Sequence, residues 1–353
     1  MKRALSKILL LVFFCSTICG VFSSCAYAPY DYNLDEYIKV PDNITNITVT
    51  EDEIEQRLQE NLLAVRTNAA IETNITSRSA ITGDKVKLSI VGYLASNYGN
   101  KGSSPISALT DTDCTFIIGN GKYPLELERS IIGHYINDQF TVRITLARDF
   151  GLSAYASQAV VFEIKILDIT ELQLPLFNDA FVKSVSHCET VDEYKEFMRT
   201  RAEEKLIWEK LLNIVEVKKF PEKELTNFER NYVNFYTTRA SNSGKTLEEY
   251  IAQKFFLELS AFHIEASNYS KKSVKEELLL YYLVSKYDLE LTQSEYNYRS
   301  GIYVKQYGMR SLTALEGRFG TAFIRQSVQF DKVLDFLKSE IDNSKSPTPS
   351  LPD

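Results

Sequence analysis

The chain has 353 residues, with 40 Lys and Arg against 47 Asp and Glu, a formal charge of −7 and 44% hydrophobic residues. This balance excludes a disordered or low-complexity fibre, and the length allows two or three domains, each with its own core. The acidic surplus argues against nucleic acid as a partner, because phosphate contacts need a basic face. Lys2, Arg3 and Lys7 open the chain ahead of the apolar run Ile8 to Phe14, which continues from Ile18 to Phe22. A basic start followed by a short apolar stretch reads as a secretion signal, too short for a membrane span.

Phe22-Ser23-Ser24-Cys25 resembles a bacterial lipobox, in which small residues precede a cysteine that is diacylated and becomes the mature N-terminus. Phe22 stands where such signals usually carry Leu. The resemblance implies removal of residues 1–24 and lipidation of Cys25, whose two acyl chains would hold the protein on the outer face of the bacterial cell membrane. Ordinary cleavage after Ala26-Tyr27-Ala28, with Pro29 poorly placed behind it, and a retained anchor helix are the alternatives. Losing Lys2, Arg3 and Lys7 makes the mature chain more acidic than the full count. Cys114 and Cys188 then remain as thiols, which pair outside the cytoplasm or stay free and buried.

Residues 25–49 are polar and tyrosine-rich and read as a tether. Thr50-Glu51-Asp52-Glu53 forms a capping box, and Ile54, Leu58, Leu62 and Val65 follow on one helical face, ending near Asn68. From Gly83 the period changes to two. Val86, Leu88 and Ile90, then Phe140, Val142, Ile144 and Leu146, then Val160, Phe162, Ile164 and Ile166 alternate with polar residues, so residues 83–169 read as a compact, mostly antiparallel β domain. Ser96 to Asp111, with Gly99, Gly102 and Pro105, reads as a loop or flap. After Glu171 helical signals take over. Three more capping boxes begin at Thr190, Thr246 and Thr292, and helices are expected near 190–217, 221–240, 246–258, 271–287, 292–307 and 320–340. The tail, residues 343–353, reads as disordered.

This order of segments, joined by ITELQLPLFNDAF at 169–181, resembles the trigger factor family of folding factors, and within it exported, lipid-anchored relatives with an FKBP-type peptidyl-prolyl isomerase domain. Gly83-Asp84-Lys85-Val86 matches the family's G-D-x-V opening, and Gly119-Asn120-Gly121 with Glu128 and Gly133 matches its G-x-G…E…G spacing. Val161-Phe162-Glu163-Ile164 matches the last strand, and Leu174-Pro175-Leu176 with Phe177-Asn178-Asp179-Ala180-Phe181 matches the exit from the isomerase domain. The fold implied is α+β and multidomain. A small antiparallel FKBP-like β domain (83–170) lies between an N-terminal helical segment (50–82), which packs with the C-terminal domain, and an extended all-α chaperone domain (171–342). The ribosome-docking G-F-R-x-G-K loop is not found, so the expected partners are unfolded or nascent exported polypeptides and the membrane, not the ribosome.

Prolyl isomerisation needs an apolar cavity that desolvates the imide and a donor that fixes its carbonyl, with no metal or cofactor. The resemblance assigns pocket-lining positions to Ile90, Tyr123, Leu127, Phe150 and Phe162. Several depart from the family pattern: Ile90 replaces an aromatic, Leu127 replaces the floor ring, and Pro124 lies where a backbone amide normally binds the substrate carbonyl. Tyr98 and Asn100 are the flap residues that could partly substitute for the missing acid motif. The expectation is a degenerate isomerase, with a competent isomerase and a non-catalytic adaptor as alternatives. Phe228, Tyr232, Phe235 and Tyr236, at i, i+4, i+7 and i+8, are the candidate client-binding residues of the helical domain. His134, His187 and His263 are isolated, so no metal site is expected.

Overall fold

The computed structural model describes residues 33–345. The expected signal, Cys25 and residues 346–353 lie outside the described residues. The chain is α+β and divides into two compact units: within the described residues one holds 33–69, 176–232 and 267–345, the other 70–175 and 233–266.

The second unit is built on an antiparallel sheet of five strands, β2 (Ile71–Asn74), β3 (Lys85–Leu94), β4 (Asp111–Ile117), β5 (Gln139–Thr145) and β6 (Ala159–Gln173). Strand β6 is 15 residues long and organises the rest. Along one edge it pairs with β3; on the other it pairs first with β5, through Ala159 to Lys165, and then with β2, through Thr170 to Gln173. The alternation seen in the sequence is the alternation of burial: Val86, Leu88, Ile90, Phe162, Ile164 and Ile166 are all enclosed. They meet the short helix α2 (Leu125–Ile131), whose Leu127 and Ile131 are fully buried. A row of β-branched and aromatic side chains on one sheet face, closed by a helix, is the smallest arrangement that hides that face from water.

Asp84 fixes the entry to β3. Its carboxylate accepts from both Arg78 guanidinium nitrogens, at 2.6 and 2.9 Å, and from the Ile81 amide at 3.0 Å. Burial works against its charge, but Arg78 and the Ile81 amide outweigh that and hold the carboxyl below its usual range.

The other unit is helical. Helix α1 (Glu51–Asn68) lies along α4 (Val191–Ile214), where Arg57 makes a two-pronged bond to Glu209 at 3.1 and 2.9 Å and Lys210 reaches Glu53 at 2.6 Å. Hydrogen bonds from Lys210 and the Thr50 amide bring the Glu53 carboxyl down to about 2. Between these helices α3 (Asp179–Val185) contributes Phe181, Val182 and Val185 to a core shared with Leu58, Leu62 and Tyr194. Helices α8 (Gln293–Gln306), α9 (Leu312–Phe319) and α10 (Thr321–Lys345) complete the unit, and Trp208 of α4, 1% exposed, meets Phe330 of α10 edge-on at 4.8 Å.

Residues 33–49 differ from the expected tether. Strand β1 (Ile38–Lys39) pairs with β7 (Glu216–Val217), and Ile38, Val40, Ile44 and Ile47 are buried in the main helical core. Their apolar residues have no helical or strand period, so only tertiary packing reveals them as core. The division at 233–266 also differs from the expected single helical domain: the second half of α5 (Glu222–Asn242), all of α6 (Leu247–Phe255) and the start of α7 (Leu259–Lys286) group with the sheet.

Candidate peptide-binding site of the sheet unit

Glu128 builds the floor loop of the site. It is 2% exposed, and its two carboxylate oxygens accept from the amides of Gly119 at 2.7 Å, Tyr123 at 2.9 Å and Gly121 at 3.4 Å. Gly119 and Gly121 take φ of 94° and 75°, which turns their amides toward one point and which side chains with a Cβ rarely adopt. The G-x-G…E spacing is therefore a structural clamp that holds Tyr123 and the start of α2 against the sheet. Pro124 is the N-cap of that helix and offers no amide, while its carbonyl accepts from Leu127 and Glu128.

The five residues assigned to the pocket belong to one hydrophobic cluster, but at different depths. Ile90, Leu127 and Phe162 are 1%, 0% and 2% exposed and lie wholly inside it. Tyr123 is buried with its ring 5.0 Å from Phe116, and burial, together with the Cys114 thiol beside it, pushes its hydroxyl up. Phe150 alone is half-buried. Phe162, Ile90 and Tyr123 thus do the work of a core, and Phe150 is the one of the five that reaches the surface. The two flap residues lie elsewhere: the Tyr98 hydroxyl donates to Glu163 at 3.1 Å, on a β6 residue that alternates with Phe162, and Asn100 donates to the Ser96 carbonyl.

An aromatic residue that the sequence alone places in the helical segment, not in this pocket, lies against these rings. Phe256, just past the end of α6, lies with its ring 5.4 Å from Tyr123 and 5.6 Å from Phe150. Its backbone is left-handed, φ 54° and ψ 38°, a conformation a β-carbon makes costly. Around it the turn is tied to the sheet unit by polar bonds. Gln253 donates to the Thr110 carbonyl, and Lys254 pairs with Asp111 at 2.5 Å. The Glu258 amide donates to the Gly151 carbonyl at 3.2 Å, and its carboxylate accepts from the Ser153 amide at 3.0 Å and from the Ser153 hydroxyl. Those Ser153 bonds hold the Glu258 carboxyl below its usual range. Gly151 permits the approach: a Cβ there would fall 2.3 Å from the Phe256 carbonyl oxygen. The adjacent rings Phe255-Phe256 at the end of an amphipathic segment were the available sequence signal.

The four candidate client-binding aromatics lie on α5 and are half-buried. Phe228 packs on the helical core, and Tyr232 meets Tyr269 at 4.8 Å. In the sheet unit Phe235 meets Tyr236 at 5.1 Å, and Tyr236 meets Phe255 and Phe262 at 5.5 and 5.4 Å. Within the sheet unit Phe235, Tyr236, Phe255 and Phe262 thus form a ring cluster drawn from α5, α6 and α7, in which Phe255 is 45% exposed.

No family model matches the chain. Over 329 residues it is 23% identical to the trigger factor of Acetivibrio thermocellus, an alignment that covers 90% of this chain and 74% of that relative. The trigger factors of Finegoldia magna and Caldicellulosiruptor bescii are each 24% identical, covering 89% and 90% of this chain and 71% and 72% of theirs. A solved structure concerned with promiscuous substrate recognition in folding and assembly by the trigger factor chaperone aligns over 86% of this chain and 73% of its own, with 16% identity and a TM-score of 0.34. The sequence similarity spans the residues of both units, and in sequence the chain is trigger-factor-like.

Proposed function

We propose that this protein is a folding factor of the trigger factor kind that holds unfolded exported polypeptides from the outer face of a cell membrane. The observation that carries the reading is the similarity to trigger factors along 90% of the chain. The ring cluster of Phe235, Tyr236, Phe255 and Phe262 in the sheet unit supports it, since rings offer large contact area at low entropic cost to partners of many sequences. The membrane anchor is the lipid expected on Cys25.

In this reading the sheet unit is an FKBP-type module that has lost most of its isomerase power. Leu127 and Phe162 are enclosed rather than lining an open cleft, and Pro124 brings no donor to the carbonyl of a substrate. Losing one positioned donor alone costs on the order of 100-fold in rate. The module is then a place to hold a segment of chain, not to twist it.

Two measurements on one preparation test this. Fluorescence anisotropy of a labelled, permanently unfolded carboxymethylated protein should show saturable binding, while the cis-trans relaxation of a proline tetrapeptide should proceed at close to its uncatalysed rate. Strong acceleration of the relaxation would establish a competent isomerase instead, and neither binding nor acceleration would leave an adaptor. For the anchor, Cys25→Ala should move the protein from the membrane fraction to the soluble one; unchanged retention would refute lipidation at Cys25.

A further inference from the structure

We infer that the turn Phe256–Glu258 is a built-in occupant of a peptide-binding site on the sheet unit, and that the site takes client segments carrying an aromatic residue followed two places later by an acidic one. The turn is bound as a ligand would be. Its ring enters between Tyr123 and Phe150, its Glu258 amide bonds the Gly151 carbonyl, and its Glu258 carboxylate is received by the Ser153 amide and hydroxyl. Each of these groups on the sheet side comes from one short stretch, Phe150 to Ser153, together with Tyr123.

Two features show that the sheet side fits the turn in addition to the helix-end bonds, Phe256 amide to Ala252 carbonyl and Phe262 amide to Glu258 carbonyl, that its own helices supply. Phe256 takes the left-handed C-cap position of α6 that glycine usually fills, so its ring is kept there at a conformational cost that its contacts with Tyr123 and Phe150 offset. Gly151 leaves room for the Phe256 carbonyl and, at 3.0 Å, for a methyl of Leu257, so the sheet side is shaped to this backbone and not only to the ring. The pairs on either side, Lys254 with Asp111 and Gln253 with the Thr110 carbonyl, extend the recognised segment to six residues.

An attached segment acts at an effective concentration in the millimolar range. The free protein therefore holds its own turn in place, and an outside peptide of the same chemistry binds only as the turn leaves; the apparent affinity falls by the fraction of sites that are open. A client segment displaces the turn when its local concentration rivals that of the attached turn. The inference rests on the folding-factor reading only for the source of the segment, since recognition of the ring, amide and carboxylate follows from the site itself.

The test uses a fluorescein-labelled peptide copying Ile251–Ser260, with the full chain as receptor. Phe256→Gly with Glu258→Ala removes the ring and the carboxylate but retains the left-handed turn, which glycine adopts freely. This double variant should bind the peptide at least tenfold more tightly than the unaltered protein. Peptides with Ala in place of the second Phe, or of the Glu, should lose that gain. Adding Gly151→Ala to the double variant should abolish it too, because the new Cβ closes the site to any backbone. Equal binding by the unaltered and double-variant proteins, or a gain that survives Gly151→Ala, would overturn the inference. Binding of the carboxymethylated unfolded protein, followed in parallel, reports on the folding-factor reading separately: its loss together with retained peptide binding would sink that reading and leave this one standing.

Discussion

Phe162→Ala separates a core residue from a pocket wall. Phe162 is 2% exposed, sits mid-strand in β6 between β3 and β5, and its ring would lie 3.1 Å from a Cβ placed on Gly92. Nothing around it can collapse without breaking a strand pair, so truncation should cost the full cavity penalty of about 3–5 kcal/mol. Against a typical domain stability of about 5–15 kcal/mol, that is a large share. Because the chain has two units, a single melting temperature is a poor reporter, and hydrogen exchange of peptides spanning 159–173, read by mass spectrometry, is the better assay. At ~1.4 kcal/mol per tenfold change, the slowest amides of β6 should exchange at least about a hundredfold faster. Phe150→Ala, at the half-buried rim, should change them by about tenfold or less. If Phe162→Ala leaves β6 protected to within tenfold of the unaltered protein, Phe162 is not core and the depth argument fails.

Further outcomes follow from other buried groups. Glu128→Ala removes the acceptor for three amides of the 119–123 loop and should destabilise the sheet unit by about 1–3 kcal/mol, seen as faster exchange of that loop. Glu276 is fully buried, its oxygens lack a hydrogen-bond partner among the described residues, and burial pushes its carboxyl up to about 8 despite Lys272 and Lys205. The folded chain then keeps a proton that the unfolded chain releases near 4.5, so stability should fall as pH rises from about 4.5 to about 8, and Glu276→Gln should flatten that slope in urea titrations. A slope unchanged by Glu276→Gln would place the titration elsewhere. Cys114 is buried and free, with its thiol pushed up to about 11 chiefly by burial, and Cys188 is also buried and raised. Neither should react with a disulfide dye at pH 8 until denaturant is added. Thr246→Ala breaks a reciprocated capping box and should cost about 1 kcal/mol, read as fraying of the amides of residues 247–250.

Much of the fold was legible because local rules and tertiary structure agree. The alternation of Val86, Leu88 and Ile90 and of Val160 to Ile166 is carried by strands with one enclosed face. The capping boxes at Thr50, Thr246 and Thr292 form as spaced. At Thr190 only half the box forms, since Glu193 sends its carboxylate to the Glu189 amide at 2.8 Å. The long helix from Leu259 was expected only from residue 271, because the turn before it is set by a left-handed phenylalanine rather than by Gly or Pro. The candidate site was legible in part for the same reason. Period and spacing show that Ile90 and Phe162 point inward, but not that inward means the interior of the core. That depends on α2 covering them, and Leu127 is the residue that does so. The Phe255-Phe256 pair marks an aromatic helix end, but not which rings it meets, because its partners Tyr123, Phe150 and Gly151 are more than 100 residues away in sequence.

The central claim is that the protein holds unfolded chains, and light scattering during the dilution of a chemically denatured, aggregation-prone protein tests it most directly. With the present protein added at increasing ratios, scattering should fall steadily and approach full suppression near equimolar amounts, without the help of nucleotide. Scattering that is unchanged at tenfold excess would contradict the account.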